Sequence, residues 1–125
     1  MNKSNIDEKI NFFLSKYKSI VEIDKDFYNQ ENIALPNKFA FNNLKKTLKY
    51  LLINNIIPYK ISPSVEEGIC IVLKNKNKKL HFEIYNDGDM GYIIEDYINK
   101  KIISNKDFNS IKDAIHDIVK FKKMK

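Results

Sequence analysis

The chain of 125 residues has no arginine, one cysteine, three glycines and three prolines. Each shortage excludes something. Without arginine, the commonest bidentate reader of guanine is missing. One thiol, Cys70, cannot close an internal disulfide, so nothing points to an oxidising compartment. Three glycines leave little material for a backbone phosphate cradle, and neither a Walker-type loop nor a Gly-x-Gly-x-x-Gly run occurs. A serine nucleophile elbow is missing too. No apolar run reaches the roughly 18 residues of a membrane span. The first residues lead straight into a charged amphipathic segment rather than an apolar signal region, so a cytoplasmic protein without membrane contact is expected.

What is present suits one domain spanning residues 1–125. Hydrophobic residues make up 43% and charged residues 30%, an ordinary globular mix. A chain of this length buries about two thirds of its unfolded surface, enough for a core without metal or disulfide. The net charge of +6 can mark nucleic acid or an acidic partner. It can equally be compositional drift, because lysine, asparagine and isoleucine dominate together.

Apolar Ile6, Ile10, Phe13, Leu14, Tyr17, Ile20 and Val21 recur at steps of three and four, which predicts a helix over 5–21. Ser4 and Asp7 have capping-box spacing. Residues 22–35 lack a clean period and read as an ordered linker pinned to the core by Phe27 and Tyr28. A second helix is expected from Pro36 to about Asn54, with Phe41, Leu44, Leu48, Leu51 and Leu52 on its buried stripe. Strands are then expected at 59–62, ending at Pro63, and at 69–73, 80–85 and 91–98, with 101–103 extending the sheet. Asn86-Asp87-Gly88-Asp89 is a hairpin signal. Phe108, Ile111, Ile115, Ile118 and Val119 share one face of a last helix with Asp107 at its start and Lys120, Lys122, Lys123 and Lys125 at its end, an order suited to the dipole. The expected fold class is α+β: two N-terminal helices, a four- to five-stranded antiparallel meander, and a C-terminal helix on the same face.

No catalytic, metal or cofactor site is expected. Cys70 lies in an apolar strand and reads as a buried, inert thiol. His81 and His116 are far apart, with no pair at zinc-ligand spacing. Glu66-Glu67 reads as a solvated turn, and Asp87-Gly88-Asp89 resembles a calcium loop but lacks the remaining ligands. An enzyme would need a pocket that gathers His81 or His116 with distant carboxylates.

Two stretches carry a family resemblance. The first runs from Asp26-Phe27-Tyr28 to Ala34-Leu35-Pro36 and the helix after it. The second is Pro58-Tyr59-Lys60-Ile61-Ser62-Pro63-Ser64-Val65-Glu66-Glu67-Gly68-Ile69, followed by the strand and Asp-Gly turn of residues 80–88. Together they resemble an uncharacterised family of small bacterial proteins with an aromatic–acidic turn, a Pro-led helix, a Pro-x-x-x-Pro segment, an acidic-Gly-Gly turn and a hydrophobic strand. Here Glu67 replaces the first Gly of the pair, Leu73 an aromatic, and Phe27-Tyr28 a tryptophan. The resemblance implies a bacterial cytosolic setting among accessory genes, including mobile elements and toxin or defence loci.

The function expected is a non-enzymatic accessory protein, an inhibitor or antitoxin-like subunit that binds another protein. Its contact residues would be Pro63, Ser64, Glu66 and Glu67 in the turn and His81, Glu83 and Tyr85 on the exposed strand face. The alternative is a nucleic-acid-binding module using Lys76, Lys78, Lys79, Lys122 and Lys123, with Tyr85, Tyr92 and Tyr97 able to stack on bases. Self-association through a sheet edge is open as well.

Overall fold

The computed structural model describes residues 3–124, with side chains from residue 5 onward. The order is α1 (Lys3–Gln30), α2 (Lys38–Ile53), β1 (Lys60–Ser64), β2 (Gly68–Asn75), β3 (Lys78–Tyr85), β4 (Met90–Asp96), β5 (Lys101–Phe108) and α3 (Ile111–Lys123). The five strands form one antiparallel sheet in sequential order, β1-β2-β3-β4-β5. The α+β class, the meander and the terminal placement of the helices are as expected. No described helix is long and apolar enough to cross a membrane.

Alternation along the central hairpin decides the layering. Ile69, Ile71 and Leu73 of β2 face Ile84, Phe82 and Leu80 of β3 in register, and all six are essentially fully buried. Opposed residues on neighbouring strands lie on one face of the sheet, so these six make one continuous apolar floor. Leu44, Leu48 and Leu51 of α2 and Ala114, Ile118 and Phe121 of α3 belong to the same core, as do Leu14 and Tyr17 of α1. Tyr92 of β4 donates its hydroxyl to Asp117 of α3 at 3.0 Å, and Lys106 of β5 meets the same carboxylate at 3.3 Å. All three helices thus cover one face, and among the described residues the other face carries none.

Four boundaries move residues out of the elements expected for them, and other element ends shift by one or two residues. The first helix continues through the expected linker to Gln30. Tyr28 is only 2% exposed and prolongs the buried stripe of Leu14 and Tyr17. The stripe is hard to see because Asp24 interrupts its apolar sequence. Lys25 and Glu22 form an i,i+3 ion pair at 2.9 Å on the solvent side. Tyr28 is thus buried, whereas Phe27, expected to be pinned with it, stays half exposed. The helix already includes Lys3 and Ser4, so Ser4 is not its cap, because a capping residue has non-helical backbone; the charge of Lys125 lies outside the described residues.

The second helix starts at Lys38, not Pro36, because Asn37 is the better cap: its side chain accepts from the Ala40 N–H. Strand β1 passes through Pro63 to Ser64; it is an edge strand, where a missing donor is tolerated. Residues 101–108 form a complete fifth strand, which takes Asp107 and Phe108 out of the last helix. Phe108 pairs with Met90 and packs its ring 5.3 Å from that of Tyr92. Ser110 caps α3 instead, accepting from the Asp113 N–H.

One joint holds the α1–α2 connection to the sheet. Asn86, at the start of the β3–β4 turn, accepts from the Asn37 N–H at 2.9 Å and donates to the Leu35 carbonyl at 3.1 Å. Its own N–H donates to the Glu67 carbonyl, and the Glu67 carboxylate accepts from the Ala34 N–H at 2.9 Å. Glu67 sits at φ 65°, the left-handed region where a side chain costs about 1–2 kcal/mol. The carboxylate's anchoring bond offsets that cost. Asn86→Ala removes two hydrogen bonds and is expected to lower stability by about 2 kcal/mol. Urea titration checks this through a lower midpoint at constant m-value; a change below about 0.5 kcal/mol would mean that the joint is not a tie.

Candidate functional site on the bare sheet face

The face opposite the helices is set by the same register. Its rows run across the strands: Lys74 and Lys79 at one end, then Lys60, Val72, His81 and Ile93, then Ser62, Cys70, Glu83, Gly91 and Asp107. Tyr85 and Ser64 lie beyond these, flanking Gly68. In a meander, alternate turns fall at the same end. The β1–β2 turn with Glu66 and Glu67 therefore shares one end with the β3–β4 turn of Asp87 and Asp89. The β2–β3 turn with Lys76 shares the other with the β4–β5 turn of Lys100. One face thus has an acidic end and a basic end.

At the acidic end, two shallow recesses adjoin. One of about 260 Å³ is lined by Glu66, Glu83, Tyr85, Tyr92, Asn105 and Asp107 among others. The other, about 310 Å³, lies between Ala34, Glu66, Glu67, Tyr85, Asn86 and Asp87. Gly91 helps to open the first: a Cβ there would stand 2.7 Å from the Asp107 carboxylate. Glu83 is central. One of its oxygens, Oε2, is buried without a hydrogen-bond partner among the described residues. Burial raises its pKa first and the nearby Glu66 charge adds to this, while the Ser64 hydroxyl and Cys70 thiol oppose it by hydrogen bonding. An unpartnered buried carboxylate oxygen is costly.

Its neighbours respond to the same field. Burial, then the Glu83 charge, pushes the Cys70 thiol up, so it is held protonated and is a poor nucleophile. The Tyr85 hydroxyl is pushed up to about 12 by burial, then by Glu83 and Glu66, and lies a long 3.4 Å from Glu66. Ser64 is buried and accepts from the Glu66 N–H at 3.1 Å, which sets the turn.

The structure therefore gathers Ser64, Glu66, Glu83 and Tyr85 of the expected contact set. Pro63 turns to the helix side, opposite Ile69, and is buried. The Glu67 carboxylate is engaged by Ala34. His81 is further along the face, bonded through Nε2 to Glu95 Oε1 at 2.7 Å. His116 stands exposed on α3, and neither acidic recess is lined by a histidine. Among the described residues no three His, Cys, Asp or Glu side chains are grouped to hold a metal ion. Asp107 was missed as a site residue because its apolar neighbour Phe108 fits the period of the following helix.

At the basic end, Lys76 and Lys78 flank the hairpin turn, and Lys79 opposes Lys74 across it. The C-terminal lysines approach the same end. Lys122 donates to the Lys74 carbonyl at 2.8 Å, and Asn75 donates to the Phe121 and Met124 carbonyls at 2.7 and 2.9 Å. Lys122 thus secures the α3 terminus to β2, while Lys123 stays exposed.

Comparison with protein-family models, with curated proteins and with solved structures finds no match for the chain.

The raised Glu83 pKa has a stability consequence. A carboxyl whose native pKa exceeds its unfolded value stabilises the fold below the unfolded pKa, and that contribution is lost as pH rises through the native one. The window therefore opens at the ordinary value of 4.5 and extends upward. Glu83→Gln keeps an acceptor for Ser64 and Cys70 but cannot ionise. Relative to the parent, it is expected to gain thermal stability at neutral pH and to gain little at mildly acidic pH. Melting curves at the two pH values check this; a pH-independent difference would remove the buried charge as the cause.

Proposed function

We propose that the chain is a non-enzymatic interaction protein that binds another protein through a basic segment laid across the acidic end of its bare sheet face. The observation that carries this reading is the Glu83 carboxylate, half-buried beside Glu66 and Asp107 with one oxygen unpartnered. On a chain of net charge +6, such a gathering of carboxylates runs against the overall composition. An incoming lysine or arginine would set a cation among the Glu66, Glu83 and Asp107 carboxyl groups that line the recess and offset their charge. Charge-assisted bonds of this kind are about twice as strong as neutral ones, and charge complementarity selects partners and speeds encounter. Tyr85 and Ile93, beside the recess, offer apolar area around the charge.

The sheet edges support a facial contact over strand addition. Strand β1 has five residues and contains Pro63. On β5 the register skips Ile103 between Ser104 and Ile102, and Lys101 and Lys106 are exposed. Short strands, proline, bulges and lysines all oppose edge pairing, including pairing with a second copy. The protonated Cys70 thiol supports a binding role over a nucleophilic one. The resemblance to small bacterial proteins of accessory loci supports a cytoplasmic inhibitor or antitoxin-like subunit in a defence, toxin–antitoxin or mobile-element system.

The test is affinity capture from the native cell with nuclease present, comparing the parent chain with Glu66→Lys and with a Glu83→Gln/Tyr85→Ala pair. A single dominant protein should be captured by the parent, and each change should weaken its binding about tenfold or more without unfolding the domain. A captured protein that binds the variants as tightly as the parent would overturn this placement of the surface.

A further inference from the structure

The basic end of the bare face carries a second arrangement that the acidic recess does not explain. Lys74 and Lys79 stand directly opposite each other on neighbouring strands. Like charges in that position repel. The carboxylate best placed to relieve them is Glu95, which pairs with Lys79 in the β3–β4 register. Its oxygen is instead bonded to His81 at 2.7 Å. Asp96, next along β4, accepts from the Ile98 and Asn99 N–H groups and from the Asn99 amide. Among the described residues, neither Lys74 nor Lys79 has a carboxylate within ion-pair distance.

Two tyrosine rings take the place of counter-ions. The Lys74 ammonium lies 4.0 Å from the Tyr59 ring centre and 5.6 Å from that of Tyr97. The Lys79 ammonium lies 4.9 Å from Tyr97 and 5.8 Å from Tyr59. All four distances fall within cation–π range. Tyr97 is fixed by its hydroxyl, which donates to the Lys76 carbonyl at 2.7 Å, and the backbone at Tyr59 is tied by its N–H to the Val72 carbonyl. The Tyr59 side of the cluster is open, with that residue 58% exposed. Two rings at the sheet's end and two ammonium groups without a carboxylate partner are the combination that holds a single nucleic-acid strand: phosphates meet the cations and bases stack on the rings. A duplex gains nothing from the rings, since its bases are already stacked.

We propose that Tyr59, Lys74, Lys79 and Tyr97 form a binding site for single-stranded nucleic acid, with Lys60, in the next row of the same face, extending its phosphate track. The assignment moves the basic surface away from the C-terminal lysines, since Lys122 is engaged by the Lys74 carbonyl, and it stands independently of the protein partner at the acidic end.

The experiment is fluorescence anisotropy of labelled oligo(dT) and oligo(rU) with the full chain over a salt series. Binding at low salt is expected for at least one of the two, which identifies DNA or RNA as the preferred strand. Affinity should fall with salt, and Lys74→Gln/Lys79→Gln should flatten the log–log slope by about 0.7 for each lysine removed. Tyr59→Leu and Tyr97→Leu should each weaken binding about tenfold at unchanged slope. Lys46→Gln/Lys49→Gln, on the outer face of α2, should change neither quantity. If the double lysine variant melts below the parent, Lys79→Gln alone is read in its place. The proposal is overturned by absence of binding at low salt, by equal loss in the α2 variant, or by a duplex binding as tightly as the single strand. Competition by poly-glutamate as effective as by the oligonucleotide would also overturn it, in favour of an acidic protein partner.

Discussion

The structure depends on the commitment of one side of the β2–β3 hairpin to the core. Ile69, Ile71, Leu73, Leu80, Phe82 and Ile84 are in register and essentially fully buried. At about 25 cal/mol per Å² of apolar area, burial of such side chains contributes about 1.5–3 kcal/mol each. A slip of one residue would turn the whole set towards solvent. Once this face is apolar, amphipathic helices can bury their stripes only there, and α1, α2 and α3 all do so. The opposite face is left to whatever residues the pleat assigns to it.

Those residues are not a neutral surface. Because consecutive antiparallel turns alternate between ends, the acidic turns of residues 65–67 and 86–89 collect at one end and the lysine-bearing turns at the other. The same alternation puts Glu83 in a row with Cys70 and Gly91, where neighbouring strands partly bury it. A glutamate at an exposed strand position is ordinarily well solvated; here its environment raises its pKa. The polar ends and the half-buried carboxylate are thus products of topology acting on an unremarkable charge pattern.

Parts of the architecture resisted sequence reading for identifiable reasons. Asp24 interrupts the apolar stripe of α1, so the period ends near Val21 although the helix runs to Gln30 and Tyr28 resumes burial. Phe108 fits both the helical spacing of Ile111 and Ile115 and the last position of β5; its contact with Tyr92 decides for the strand. Pro63 looks like a strand terminator, yet an edge position removes the objection. Glu67 looks like a solvated turn residue, but its left-handed backbone and its bond to Ala34 make it part of a tertiary joint.

The sequence by itself determined the α+β class, the order of helices and strands, the hairpin at Asn86 to Asp89 and the outward placement of His81, Glu83 and Tyr85. These follow from local periods of two and 3.6 and from turn chemistry, which act over a few residues. Tertiary structure alone decided that Glu83 has a buried, unpartnered oxygen, that Glu95 bonds to His81 rather than to Lys79, and that Tyr59 and Tyr97 flank one pair of lysines. Each of these is set by side chains meeting across strands or from separate turns. Their energies depend on burial and on which of several possible partners is nearest, and the sheet register fixes both.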